Sequence, residues 1–207
     1  MLPHQYLSLA KVVDDLINVY QSVNDTETVA AVQAQTMTKI DTILPEKFDA
    51  FLAFSNAILN EKLTKLKAQA YFQAYLKPLV KPFKTPSNKA VEKAFRKVKK
   101  IHLPNWASLD LREKTYVAWH DPSQGRKFIL FYDENDKLQG TFGEFGSKPI
   151  KGLCAICQEM TTVSLFLATT KSGGDGTYTK KGNYICLDSD DCNHHLYDIS
   201  TLYAFLK

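Results

Sequence analysis

At 207 residues the chain has room for one large domain or two small ones. Its 44% hydrophobic and 23% charged residues are ordinary for a soluble globular protein, and no run approaches the ~20 apolar residues of a membrane span. The formal net charge of +4 is uneven: residues 81–150 carry fourteen basic against eight acidic side chains, whereas 1–80 carry seven against eight and 151–207 five against six. A local basic face of that kind can meet nucleic acid or an acidic protein surface. The opening stretch, MLPHQYLSLAKVVDDLINVY, lacks a basic leader and sets Asp14 and Asp15 inside its apolar pattern. It therefore argues against a secretory signal and for a cytoplasmic setting in which thiols stay reduced.

The first ~80 residues predict helices. Leu9, Val12, Val13, Leu16, Ile17 and Tyr20 recur at spacings of three and four. SVND breaks the pattern, and Asn24 or Asp25 caps a second helix carrying Val29, Val32, Thr36, Ile40 and Ile43, closed by Pro45. Phe48, Phe51, Leu52, Ser55 and Ile58 mark a third, and Asn60 is placed to cap a fourth with Leu63, Leu66, Ala70, Tyr71 and Ala74. Four helices joined by short connections predict an up-and-down bundle over 1–80, its stripes serving as core. Pro78, Pro82 and Pro86 mark the junction to a second domain over 81–207.

A basic helix is predicted over 87–100, capped by Ser87 and closed by Pro104. Val91, Ala94, Phe95 and Val98 form its inner face, with Lys89, Lys93, Arg96, Lys97 and Lys100 outward. Beyond it the pattern turns to strands: TYVAWHD, then a hairpin in RKFILFYDENDKLQGTFGEF with its turn at Asp133–Asp136. YDISTLYAFLK resumes helical spacing through Ile199, Leu202, Tyr203 and Leu206. The second half is thus α+β, and it holds every cysteine.

Those cysteines are Cys154 and Cys157 in KGLCAICQEM, and Cys186 and Cys192 in YICLDSDDCNHH. A two-residue gap bends the backbone into a knuckle that brings two thiolates onto one ion at ~2.3 Å. TVSLFLAT and GTYTKKGNYIC predict a hairpin that returns the chain to the knuckle, with Cys192 at or near the start of the final helix. Knuckle, hairpin and helix start together describe a treble-clef zinc finger, although the five-residue second gap is longer than usual. Two disulfides conflict with a reducing compartment. A redox pair at Cys154 and Cys157 lacks its βαβ context. A catalytic zinc needs an open position that four thiolates do not leave. A zinc deaminase would show H-x-E and P-C-x-x-C, but Leu153 stands where that proline belongs. His194 or His195 is an alternative fourth ligand to Cys192. The reading is one structural Zn²⁺.

The chain resembles the FusB-type fusidic acid resistance proteins, also called elongation factor G-binding proteins. The likeness rests on FRKVKKIHLP, on NWASLDL with VAWHD, on GRKFILFYDENDKLQGTFGE, and most specifically on KGLCAIC, SLFL and GTYTKKGNYIC with its C-x5-CN sequel. PHQY, VYQSVND and ETV extend it to the N-terminal part. The resemblance implies an N-terminal four-helix bundle and a C-terminal α/β domain built on a four-cysteine treble clef. It also implies a non-enzymatic role: binding elongation factor G through that factor's C-terminal domains and helping it leave the ribosome, where fusidic acid traps it. Of the family's contact residues, Lys181, Tyr184 and Phe205 match here, while Leu153 stands in place of a family phenylalanine. All four hang on elements that zinc ties together, so the expectation is one rigid face presenting them. The competing expectation is an RNA-binding zinc-finger protein using Arg96, Lys97, Lys99 and Lys100. No nucleophile–base pair, phosphate loop or open metal site points to an enzyme.

Overall fold

The computed structural model describes residues 1–96, 98, 101–172 and 178–206. The chain forms two compact units, Met1–Lys81 and Pro82–Lys207. No helix of the described residues is long and apolar enough to cross a membrane.

The first unit is helical. Helix α1 (Pro3–Ser22) starts on a proline, whose missing N–H costs nothing in the first turn. Asp25 caps α2 (Thr26–Ile43), its carboxylate accepting from the Thr28 amide at 2.8 Å. α3 (Phe51–Ile58) starts later than the apolar stripe implies. Phe48 lies outside the helix, yet its ring packs 5.6 Å from Phe51 and 5.9 Å from Phe54. Thr64, not Asn60, caps α4 (Lys65–Tyr71); Asn60 instead accepts from the Lys62 amide in the preceding turn. The helix then loosens into a π turn over Phe72–Leu76 and a 3-10 turn over Lys77–Leu79, which takes up Pro78. Leu9, Val13, Ile17, Ile40, Phe54, Ile58, Phe72 and Leu76 form the core. Phe54 is fully buried, and truncating such a side chain costs about 3–5 kcal/mol.

In the second unit, Ser87 caps α5, which spans only Asn88–Ala94. The basic helix expected over 87–100 is thus shorter, with Phe95 as its C-cap. Phe95 turns its ring onto the sheet, 5.4 Å from Phe128 and 5.7 Å from Trp119. Arg96 lies exposed beyond the helix; Lys97, Lys99 and Lys100 fall outside the described residues. Gly140 makes room for Phe95, since a Cβ there would stand 2.7 Å from ring carbons.

The sheet is antiparallel: β1 (Val117–Asp121), β2 (Arg126–Tyr132), β3 (Leu138–Phe145), β4 (Ile150–Leu153), β5 (Met160–Ser172) and β6 (Tyr178–Cys186). Asp133 shapes the β2–β3 turn by accepting from the Asn135 and Lys137 amides, and Asp136 adopts a left-handed φ of 57°. The long strand β5 organises the rest. β3 and β4 follow each other along one of its edges, and β6 runs along the other. Strand β2 is buried on both faces, which is why residues 128–132 read as an unbroken apolar run. Phe128 and Leu130 meet α5, while Ile129 and Phe131 join the core that also holds the cysteines and α7 (Ile199–Leu206). Cys192 belongs to a separate short helix, α6 (Ser189–His194), and not to the closing helix. Asp188 begins α6 by accepting from the amides of Asp190 and Asp191, and Asp198 accepts from the Ser200 amide at the start of α7. Two caps within ten residues divide one expected helix into two.

Candidate functional site

Cys154 and Cys157 stand on the tight turn after β4. The Cys154 amide donates to the Glu159 carbonyl at 3.0 Å and the Gln158 amide to the Cys154 carbonyl at 3.0 Å, closing a loop in which Gln158 takes φ 61°. The Ala155 amide donates to the Tyr184 carbonyl at 2.9 Å, stitching the knuckle to β6 two residues before Cys186. Thr201 on α7 donates its hydroxyl to the Ile156 carbonyl, so the closing helix holds the knuckle from the other side.

All four cysteines are buried and free, and their sulfurs lie within 4.8 Å of one another. Cys154 Sγ is 3.8 Å from Cys192 Sγ, and Cys157 Sγ is 3.6 Å from Cys186 Sγ. Four thiolates on a tetrahedral ion at ~2.3 Å would stand about 3.8 Å apart, so the cluster has the size of a zinc tetrathiolate. The amides of Ile156 and Cys186 donate to Cys154 Sγ at 3.3 and 3.4 Å, donors suited to thiolate sulfur. Donors from the other three thiols draw the Cys154 thiol well below its usual range, whereas Cys192, donating to the others, is pushed far up. Packed this closely, the thiols do not all ionise unaided, and a divalent cation supplies what they lack. His194 and His195 do not join them: His194 Nε2 pairs with Glu113 Oε2 at 2.9 Å, and His195 Nδ1 lies 2.8 Å from the Asp191 carbonyl. The donor set is four cysteines, it fits one structural zinc, and it leaves no ligand position for catalysis.

Two buried polar residues around the cluster escape a reading of sequence pattern. Asn193, 1% exposed, accepts from the amides of Thr115 (2.8 Å) and Tyr116 (3.2 Å) and donates to the carbonyls of Tyr116 (3.0 Å) and Ser189 (2.8 Å). It ties α6, and with it Cys192, to the entry of β1. Its only trace in the sequence is the asparagine following the last cysteine. Lys127, 3% exposed within apolar β2, donates to the carbonyls of Cys186 (2.9 Å) and Leu187 (3.0 Å). Burial lowers its pKa to about 8, against the pull of the Cys192 and Cys186 thiolates.

The four residues expected at a partner surface do not share one face. Leu153 is 53% exposed at the end of β4, paired with Met160, itself 69% exposed. Tyr184 is 43% exposed and pairs with Leu165. Lys181 pairs with Ala168, and side chains alternate along a strand, so Lys181 and Tyr184, three residues apart, point to opposite sides of β6. Lys181 shares its side with Phe205: both line a cavity of about 500 Å³ beside α7, together with Phe131, Phe166 and Tyr203. Phe205 is half-buried, its ring 5.7 Å from Phe166, so it belongs partly to the core. The expected single face is therefore two, divided by the pleat of β6.

Residues 1–84 match a family model described as elongation factor G-binding protein, N-terminal, and residues 90–199 match one described as FBP C-terminal treble-clef zinc-finger. The chain is also similar to a solved structure of the fusidic acid resistance protein FusC, at 37% identity and a TM-score of 0.91, over 100% of this chain and 95% of that one. Among curated protein sequences no similar one is found.

Proposed function

We propose that this chain, which belongs to the FusB-type family of fusidic acid resistance and elongation factor G-binding proteins, binds elongation factor G. Through its zinc-bearing half it promotes release of that factor from the ribosome, and so protects translation from fusidic acid. One observation carries the choice of surface: Leu153, Met160 and Tyr184 expose large apolar side chains on β4, β5 and β6, the strands that the cysteine cluster joins. Exposed apolar side chains on a rigid frame are what partner anchors are made of, and the frame keeps the ordering cost of binding low. Lys181 adds a cation on the side of β6 opposite Tyr184, and Phe205 an aromatic edge beside that cation. The partner then grips the end of the sheet instead of lying flat on one side of it. The protein acts by differential binding: it favours the free factor over the ribosome-bound one and hydrolyses nothing itself.

The test uses purified elongation factor G without ribosomes, by calorimetry. A one-to-one complex is expected. On ribosomes carrying factor trapped by fusidic acid, the protein is expected to speed the factor's departure. No complex at micromolar concentrations, or trapped factor that leaves no faster, overturns the proposal. Binding that needs RNA, falls steeply with salt and depends on Arg96 would favour the RNA-binding alternative.

A further inference from the structure

Lys127 stands where a lysine is costly. After Arg126, strand β2 is otherwise an apolar run, and Lys127 points inward with 3% exposure. Its ammonium lies 4.5 Å from the centre of the Phe145 ring and donates to the carbonyls of Cys186 and Leu187. Among the described residues no carboxylate lies within ion-pair distance of it. Lys114, the other buried lysine among the described residues of the unit, pairs by contrast with Asp190. An ammonium in the core is stable only against compensating negative charge. Two carbonyls and an aromatic face supply dipoles but no charge.

The negative charge that reaches it comes first from the cysteine sulfurs of the metal centre, Cys192 and Cys186 foremost, and then from the more distant Asp188 carboxylate. One carbonyl that Lys127 holds belongs to Cys186, a ligand, and the other to the next residue. Four thiolates and one divalent ion sum to −2. We propose that Lys127 is the internal counter-charge of the zinc tetrathiolate, a positioning residue that offsets half of its net charge and fixes the end of β6 that delivers Cys186. The sheet thereby contributes to a site whose ligands come from the turn after β4, the end of β6 and α6. The cation on β2, 59 residues before Cys186 in sequence, makes zinc binding depend on the packing of the whole sheet.

Lys127→Met removes donor and charge, Lys127→Gln keeps a donor without charge, and Lys127→Arg keeps the charge. Zinc affinity of the full chain is read by competition with a chromophoric chelator, and site geometry by the thiolate-to-cobalt bands after Co²⁺ substitution. Met and Gln are both expected to lower zinc affinity 10–100-fold, the usual effect of losing an outer-sphere partner, while Arg retains most of it. The zinc-loaded neutral variants are also expected to react faster with iodoacetamide, because uncompensated thiolates are the better nucleophiles. Wild-type affinity in folded Met and Gln variants overturns the proposal. So does wild-type affinity in Gln alone, which would reduce Lys127 to a hydrogen-bond donor. If neither neutral variant folds at saturating zinc, Arg decides: a folded Arg variant of near wild-type affinity upholds the counter-charge, and its failure sinks it.

Discussion

Lys181 and Tyr184 are three residues apart on β6 and point to opposite sides of it, Lys181 toward the cavity beside α7 and Tyr184 away with Leu165. Their mutations should therefore behave as independent. Tyr184→Ala should weaken elongation factor G binding by roughly 2 kcal/mol, about thirtyfold, without loss of stability, since the ring is largely exposed. Lys181→Ala should weaken it less, and its effect should fade as salt rises. The double mutant should show the sum of the two losses. A coupling above about 0.5 kcal/mol by calorimetry would mean that both side chains meet the same partner group.

Leu153 offers a gain-of-function test at the end of β4. It is exposed there, so Leu153→Phe adds contact area without disturbing the core. Tighter binding is expected, mainly through slower dissociation. Phe205→Ala is the contrasting case. Phe205 is half-buried and its ring packs on Phe166, so lower thermal stability should accompany weaker binding. A Phe205→Ala protein with an unchanged melting temperature would show that the contact with Phe166 contributes nothing.

Zinc removal should divide the chain. Structural zinc contributes on the order of 10 kcal/mol to a domain built on it, more than most domains have in reserve. Chelation should abolish the β-sheet signal and the near-ultraviolet bands of Trp106 and Trp119, both in the second unit. The helical signal of Met1–Lys81, whose core contains no cysteine, should persist. Concerted loss of both signals at one chelator concentration would show that the first unit depends on the second.

Local chemistry made part of this molecule legible. The cysteine spacing, the caps at Asp25 and Ser87, and the hairpin turn begun by Asp133 each depend on neighbours in sequence. What escaped depends on distant partners. Strand β4 is four residues with no apolar alternation, and it is a strand only because β5 offers it an edge. Lys127 in an apolar run looks like an outward-facing residue until the carbonyls 59 and 60 residues later are brought to it. Lys181 and Tyr184 fall on the strand and Phe205 on the helix that the sequence pattern implies, but the side each takes depends on the register of β6, which composition does not reveal. Thr64 replaced Asn60 as a cap because Asn60 is engaged by Lys62 in its own turn.

Asn193 should prove among the most sensitive polar positions. Asn193→Ala leaves the amides of Thr115 and Tyr116 and the carbonyl of Tyr116 without these partners in a buried site. Unsatisfied buried groups cost about 1–3 kcal/mol each, so a loss of roughly 3 kcal/mol is expected in denaturant unfolding of the zinc-loaded protein. Asn193→Asp keeps the acceptor but turns a carboxylate oxygen onto the carbonyls of Tyr116 and Ser189 in a buried site, and should cost at least as much. A zinc-loaded Ala variant as stable as the wild type would mean that the α6–β1 staple carries no weight.

The last prediction concerns acid. Asp121, at the end of β1, accepts from the Ser123 amide (3.0 Å) and hydroxyl (2.6 Å) and from Gln124 Nε2 (2.8 Å), and lies 2.9 Å from His102 Nδ1. Led by the Ser123 hydroxyl, these donors lower its pKa to about 2. An unfolded aspartate titrates near 3.9, so the folded state holds this proton more weakly than the unfolded one. The stabilisation is therefore present above about pH 4 and is lost as pH falls from about 4 toward 2. Asp121→Asn removes that titration while keeping the shape, so the variant should be less stable at neutral pH and lose less on acidification. Acid also protonates thiolates and releases zinc, equally in the two proteins, so the reading is the difference in stability between wild type and variant at each pH, both prepared with saturating zinc and followed by tryptophan fluorescence. Parallel stability curves for the two proteins between pH 5 and pH 2 would show that the Asp121 turn is not coupled to folding.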